Sequence, residues 1–206
     1  MTGTAGVILA GGRSRRIGAN KAEMLIAGEP LLRRVADRLA PVVDEVLVVG
    51  PQALARLVPE ARVVEDMVEP TGPLGGLYTA LHATAHAHIF LLACDMPFVQ
   101  PGLVRAMLAL AKTTPVADVI VLRSDFGIQP LHAVYARSCL PAVEQALTSD
   151  DHSLHALLGR LSFVTIGDEI VRREDLQGLS AFNANTPDDW QFAIALASSD
   201  DQQPGI

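Results

Sequence analysis

What most constrains this chain is an alternation. Short, continuously apolar runs at residues 6–10, 45–49, 62–65, 89–93, 119–123, 132–135 and 163–166 are separated mostly by stretches whose apolar residues recur with helical spacing. Successive side chains of a strand point to opposite faces, so a strand that is apolar throughout must be covered on both. Helical faces supply the cover. Leu31, Leu32, Val35 and Leu39 mark one face, and Leu103, Met107 and Leu110 another. Leu74, Leu77, Tyr78 and Leu81 fall at i, i+3, i+4 and i+7. Pro187 suits the first turn of a last helix, with Thr186 as its N-cap and Trp190 turned inward. The pattern predicts an α/β fold: a single domain, a Rossmann-like three-layer sandwich with a mainly parallel sheet. The domain is expected to span residues 1–197, and the polar residues 198–206 to be a disordered tail.

Composition narrows the class. A chain of 206 residues is the size of one α/β domain and buries roughly 70% of its unfolded surface. No apolar run reaches the roughly 18 residues a membrane span needs, so no membrane partner is expected. No charged-then-apolar leader is seen, and a cytoplasmic location is expected. The two cysteines, Cys94 and Cys139, form no CxxC pair, which argues against a disulfide framework or a zinc site. A net charge of −7 argues against nucleic acid as a partner. Positive charge gathers in the first 40 residues.

Residues 9–21, LAGGRSRRIGANK, explain that gathering. They follow the first apolar run, and glycines with cations in a loop at a strand end can surround a polyphosphate. Gly11 and Gly12 admit a ligand close to the backbone. Arg13, Arg15, Arg16 and Lys21 bring charge. The spacing is neither GxxxxGK[ST] nor GxGxxG, so this is neither a P-loop nor a dinucleotide fingerprint. Read alone, it would also serve as a surface turn with solvated arginines.

Three further motifs give the loop a context: residues 65–77 (EDMVEPTGPLGGL), 91–98 (LLACDMPF) and 182–187 (FNANTP). In this order the four resemble the molybdenum cofactor guanylyltransferases (MobA), within the wider superfamily of sugar-nucleotidyltransferase-like enzymes. The LAGG-x-S-x-R-[MI]-G…K loop is the pattern of that superfamily. CD-x-P-[FY] and N-x-NTP narrow it to the MobA branch. The likeness covers roughly residues 5 to 195, and it implies a nucleotide-diphospho-sugar transferase-like fold.

The resemblance implies Mg²⁺-dependent transfer of GMP from GTP to the phosphate of molybdopterin (the molybdenum cofactor), with release of pyrophosphate. It also implies transient contact with molybdoenzymes or cofactor-insertion proteins. The backbone of Leu9, Ala10, Gly11 and Gly12 would hold base and ribose, and Arg15 or Arg16 would contact phosphate. Such a reaction needs cations and oriented N–H groups more than a covalent nucleophile. Lys21 is the candidate charge on the phosphates. Asp95, following an apolar strand, is the candidate Mg²⁺ ligand, since that ion takes carboxylate, phosphate and water oxygens. A helix N-cap or turn aspartate is the alternative reading of Asp95.

Asp66 resembles a second acidic residue that contacts nucleotide, though a loop carboxylate often only binds its own backbone. Gly72, Gly75 and Gly76 would let the chain pass near the base, or would simply open a helix. Asn183 and Asn185 are candidates for the acceptor or a metal-bound phosphate, and Gln129, in QPL ahead of a strand, for the acceptor. His82, His86 and His88 invite a metal reading through i, i+4 spacing, but a solvated helix face explains them better. His152 and His155 read the same way.

Two positions depart from the family. Asn20 precedes Lys21 where Asp-Lys is common, and Val49-Gly50-Pro51 stands where an asparagine often helps read guanine. The second departure keeps open a cytidylyltransferase for the same cofactor, or another small-acceptor nucleotidyltransferase. A non-catalytic nucleotide- or cofactor-binding delivery protein is the alternative outside enzymes, and the presence of both Lys21 and Asp95 speaks against it.

Overall fold

The computed structural model describes residues 3–11, 21–69, 71–125 and 127–200. In chain order its elements are β1 (Thr4–Leu9), β2 (Leu25–Ile26), β3 (Glu29–Pro30), α1 (Leu31–Leu39), β4 (Glu45–Val49), β5 (Arg62–Val64), α2 (Pro73–Ala83), β6 (His88–Ala93), α3 (Pro101–Thr113), β7 (Val119–Ser124), β8 (Gly127–Ala136), α4 (Leu140–Leu147), α5 (Leu154–Leu158), β9 (Phe163–Thr165), α6 (Asp168–Glu174) and α7 (Pro187–Asp200).

Seven strands form one sheet in the order β5-β4-β1-β6-β8-β7-β9, and β2 with β3 make a separate hairpin. β1 is parallel to β4 and β6, β4 to β5, and β7 to β9, while β8 runs antiparallel to both β6 and β7. The sheet is therefore mainly parallel with one reversed strand. Each expected strand is found, most within two residues of its expected ends.

Strand alternation splits the core in two. Ile8, Val48, Phe90, Leu92, Ile120 and Val134 face α1, α3 and α7, whereas Val7, Leu47, Val49, Leu91, Val121 and Tyr135 face α2, α4 and α5. The predicted helical faces are the buried ones: Leu31, Leu32, Val35, Leu39, Leu74, Leu77, Leu81, Leu103 and Met107 are inaccessible, and Tyr78 and Leu110 are half-buried. Burying such side chains stabilises the fold by about 1.5–3 kcal/mol each.

Four details differ from expectation. β8 begins at Gly127 rather than 132; Gly127, Gln129 and Pro130 interrupt the apolar run that marks the rest of the strand. Gln129-Pro130-Leu131 therefore lies inside a strand, at a register shift between Val121 and Leu122 of β7. A bulge is where a sheet tolerates a residue with no N–H. α7 runs to Asp200, so residues 198–200 of the expected tail are helical and residues 201–206 lie outside the described ones. α2 ends at Ala83, so His86 shares no helix face with His82. Finally, the β2–β3 hairpin had no counterpart in the expected strands.

Candidate active site

Four neighbouring parallel strands, β5, β4, β1 and β6, deliver their carboxyl ends to one edge, and the first three motifs follow the ends of β1, β5 and β6. Backbone bonds carry the ladder past the strands: Ala10 N–H to Val49 O (2.8 Å), Gly50 N–H to Val64 O (2.9 Å) and Cys94 N–H to Leu9 O (3.1 Å). Ala10 is buried at 6% exposure, and Gly11 beside it is exposed. A Cβ on Gly11 would lie 3.0 Å from Asp66 Oδ2, so the missing side chain is what lets the Asp66 carboxylate lie against the β1 turn. Desolvation raises the Asp66 pKa above the ordinary carboxylate value.

On the β6 side of that turn, Lys21 opens a short 3-10 turn, Lys21–Glu23. Its Nζ donates to Asp95 Oδ2 at 2.9 Å and to Asn185 Oδ1 at 2.7 Å. Asp95 Oδ1 is buried with no hydrogen-bond partner among the described residues. Three residues from three distant stretches of sequence thus meet at one ammonium, and the carboxylate keeps one oxygen uncommitted.

Asn185 is held from both sides. Ala184 N–H donates to Asp95 O at 2.9 Å, which ties the FNANTP segment directly to the Asp95 turn. The Asp189 carboxylate accepts from Asn185 N–H (2.9 Å) and Thr186 N–H (2.8 Å), while Asp189 N–H donates to Thr186 Oγ1 (3.2 Å). This is a reciprocal cap on α7, with Thr186 as N-cap and Pro187 in the first turn. Desolvation works against the Asp189 charge, but the Thr186 and Asn185 N–H groups hold its pKa below the ordinary range. Asp189 was not among the expected site residues. The spacing Thr186-x-x-Asp189 is a cap signal that could have found it.

The remaining candidates fall as follows. Leu9 ends β1 and packs against α2, where a Cβ on Gly76 would meet Leu9 Cδ2 at 2.8 Å. Gly75 is buried in α2, and the room its side chain would need is filled by Thr71, whose Oγ1 would lie 2.5 Å away. At both glycines the close approach is to the chain itself. Gln129 lies on the same sheet edge but beyond β6, and its Nε2 donates to Ser124 Oγ at 2.9 Å and to Gly127 O at 3.3 Å. Asn183 Nδ2 donates to Ala181 O at 2.9 Å, a local turn bond, so it is Asn185 that reaches Lys21. Gly12, Arg13, Arg15, Arg16 and Asn20 lie outside the described residues.

Cys94 adjoins Asp95, but burial, and then the Asp95 charge, push its thiol up to about 12, so it is no nucleophile at neutral pH. His82 lies 3.5 Å from Glu144 and His86 3.3 Å from Glu45. Among the described residues no three His, Cys, Asp or Glu side chains gather as a metal cage. No helix among them is long and apolar enough to cross a membrane.

A doubly wound sheet whose strand ends present glycine-lined backbone, a lysine and partly freed carboxylates has the architecture of a nucleotide-handling α/β enzyme. Comparison with known proteins makes the class specific. Residues 6–166 match the family model of the MobA-like NTP transferase domain, and the chain belongs to that family of nucleotidyltransferases. It is 38% identical to the probable molybdenum cofactor guanylyltransferase of Pelotomaculum thermopropionicum, over 94% of this chain and 93% of that one. It is 32% identical to the molybdenum cofactor guanylyltransferase of Desulfosudis oleivorans, over 95% and 96%. Among solved structures it resembles molybdopterin-guanine dinucleotide biosynthesis protein A from Archaeoglobus fulgidus, with TM-score 0.81 and 29% identity over 95% of this chain and 99% of that one. CMP:2-keto-3-deoxy-manno-octonic acid synthetase shares the fold, with TM-score 0.75 at 15% identity over 96% and 99%.

Proposed function

We propose that this enzyme transfers GMP from GTP to the phosphate of molybdopterin, forming molybdopterin guanine dinucleotide and pyrophosphate. The observation that carries the site assignment is the convergence of Lys21, Asp95 and Asn185 on one point at the carboxyl ends of the sheet. The substrate assignment draws on the names of the relatives at 38% and 32% identity. In the reaction an oxygen of the acceptor phosphate bonds to the α-phosphorus of GTP as the bond to the β-phosphate oxygen breaks. The acceptor phosphate is already ionised at neutral pH, so no general base is required.

In this reading Lys21 neutralises charge that builds on the phosphates. The turn at Leu9, Ala10 and Gly11 meets base and ribose through its backbone, with Asp66 beside it, and Arg15 and Gly12 complete the phosphate loop. Gln129, in β8, and Asn183 form the acceptor end. The donor set suits Mg²⁺: one carboxylate with an uncommitted oxygen, an amide oxygen close by, and no further cage among the described residues, with phosphates and water as the remaining ligands. When bound, Mg²⁺ supplies charge stabilisation at the phosphates. Asp95 and Asn185 would hold it, and Lys21 would then be released from them to the phosphates.

A cytoplasmic location and brief contact with molybdoenzymes or insertion proteins accompany this reading. The test is pyrophosphate release from GTP and Mg²⁺ on addition of molybdopterin, with the dinucleotide identified by mass. Release that is as fast with CTP replaces the reading by cytidylyl transfer. Nucleotide binding without any release replaces it by delivery.

A further inference from the structure

His132 is out of character with its strand. Its neighbours Leu131, Ala133 and Val134 are apolar, and in register with Leu92 of β6 its side chain is fully inaccessible. Nε2 lies 2.8 Å from Ser180 Oγ, the ring stands edge-on to Phe90 with centroids 5.1 Å apart, and Nδ1 is buried with no hydrogen-bond partner among the described residues. Burying a polar ring with one nitrogen unpaired costs stability that a leucine of similar volume would not. That cost goes with a directional bond to one residue.

Ser180 is also inaccessible, and it is fixed from three elements. Besides His132, its Oγ accepts from Gln100 N–H (3.0 Å), just ahead of α3. The Asp175 carboxylate, just after α6, accepts from Leu179 N–H (3.0 Å) and Ser180 N–H (2.9 Å). Residues 175–186 have no helix or strand of their own. Four residues after Ser180 comes the Ala184 N–H bond to Asp95 O, and then Asn185. Apolar contact alone is non-directional and would leave this strap free to slide. The hydrogen bonds gathered at Ser180 set its register, and the one to His132 is the one that ties it to β8.

We propose that His132 and Ser180 are positioning residues for Asn185. Their bond fixes the strap so that the Asn185 amide oxygen meets Lys21 and Asp95, and so sets how much Mg²⁺ the site needs. The proposal rests on the reading above that Asp95 and Asn185 hold the ion. Neither His132 nor Ser180 touches the reacting atoms.

Two measurements test it. In the ligand-free protein, Ser180→Ala should speed hydrogen exchange at the Ala184 amide while the β6 amides keep their protection. In thermal-shift titrations with GTP, Ser180→Ala and His132→Leu should each raise the half-saturating Mg²⁺ about tenfold, the usual effect of losing a ligand's supporting bond. His132→Gln keeps an amide at that depth and should recover most of the loss. Adding Ser180→Ala to Asn185→Ala should cost nothing further, because both act through one group. Unchanged Ala184 exchange in Ser180→Ala overturns the positioning role, and so do additive effects with Asn185→Ala. If His132→Leu fails to fold, Ser180→Ala and the double variant still decide. A parent protein showing no Mg²⁺-dependent stabilisation by GTP overturns the site reading as well, and is told apart from the other failures by needing no variant.

Discussion

Replacing Lys21 by alanine should separate catalysis from folding. Lys21 and Asp95 are 13% and 17% exposed, and truncation deletes two charge-assisted hydrogen bonds at once. Asp95 is then left with no partner on either oxygen among the described residues, since Oδ1 has none already. A fully buried pair broken this way costs about 3–5 kcal/mol. Here water reaches the cleft, no core volume is lost, and about 1–2 kcal/mol is expected. For a chain this long that lowers Tm by about 2–8 °C. Turnover should suffer more. An oriented cation missing from a charged transition state costs about 10²–10³ in kcat, the scale of removing one preorganised stabiliser. The assay is pyrophosphate release at saturating GTP and Mg²⁺, paired with melting of the ligand-free protein. A kcat within about threefold of the parent refutes the phosphate role. A fall in Tm well beyond about 8 °C refutes the modest share given to the pair in the fold.

GTP should exceed CTP in kcat/KM, because a site that hydrogen-bonds a base edge leaves polar groups unpaired with the wrong base; equal or higher values with CTP would reverse the assignment. Asp95→Asn should abolish Mg²⁺-dependent release while the apo protein melts close to the parent, since the swap keeps shape and loses the charge that holds a hard cation. Near-normal release across a Mg²⁺ titration would move the ion elsewhere, and a large drop in apo Tm would make Asp95 a structural turn residue. Burial lowers the His132 pKa from 6.5 to about 4, so the unfolded chain takes up a proton before the folded one does. This contribution is therefore fully present above pH 6.5 and is lost as pH falls towards 4, by about 2 kcal/mol between pH 7 and 5. Urea unfolding should show that loss in the parent and a smaller one in His132→Gln, and equal losses in the two would refute it.

The strands and three helical faces were legible because the burial that selects them also writes their periodicity. Val7 and Ile8 face opposite layers, both must be apolar, and the run is visible without a structure. Lys21 and Asp95 were legible as individuals, each at a strand end or in a basic loop, though their contact spans 74 residues and no spacing encodes it. Less was legible where polar residues serve the fold. The start of β8 is hidden by Gln129 and Pro130, because a bulge relaxes both the alternation and the need for every N–H. Asn183 and Asn185 looked equivalent in FNANTP, yet one closes a local turn and the other crosses to Lys21. The difference lies in what fixes the strap: Ala184 on Asp95, Asp189 beneath Asn185, and Ser180 against His132. Each fixture is one hydrogen bond between residues whose types are common in loops and cores. The information that selects Asn185 is therefore spread over contacts that no local pattern carries, and substitutions at Ser180, rather than at the motif itself, are where it can be read.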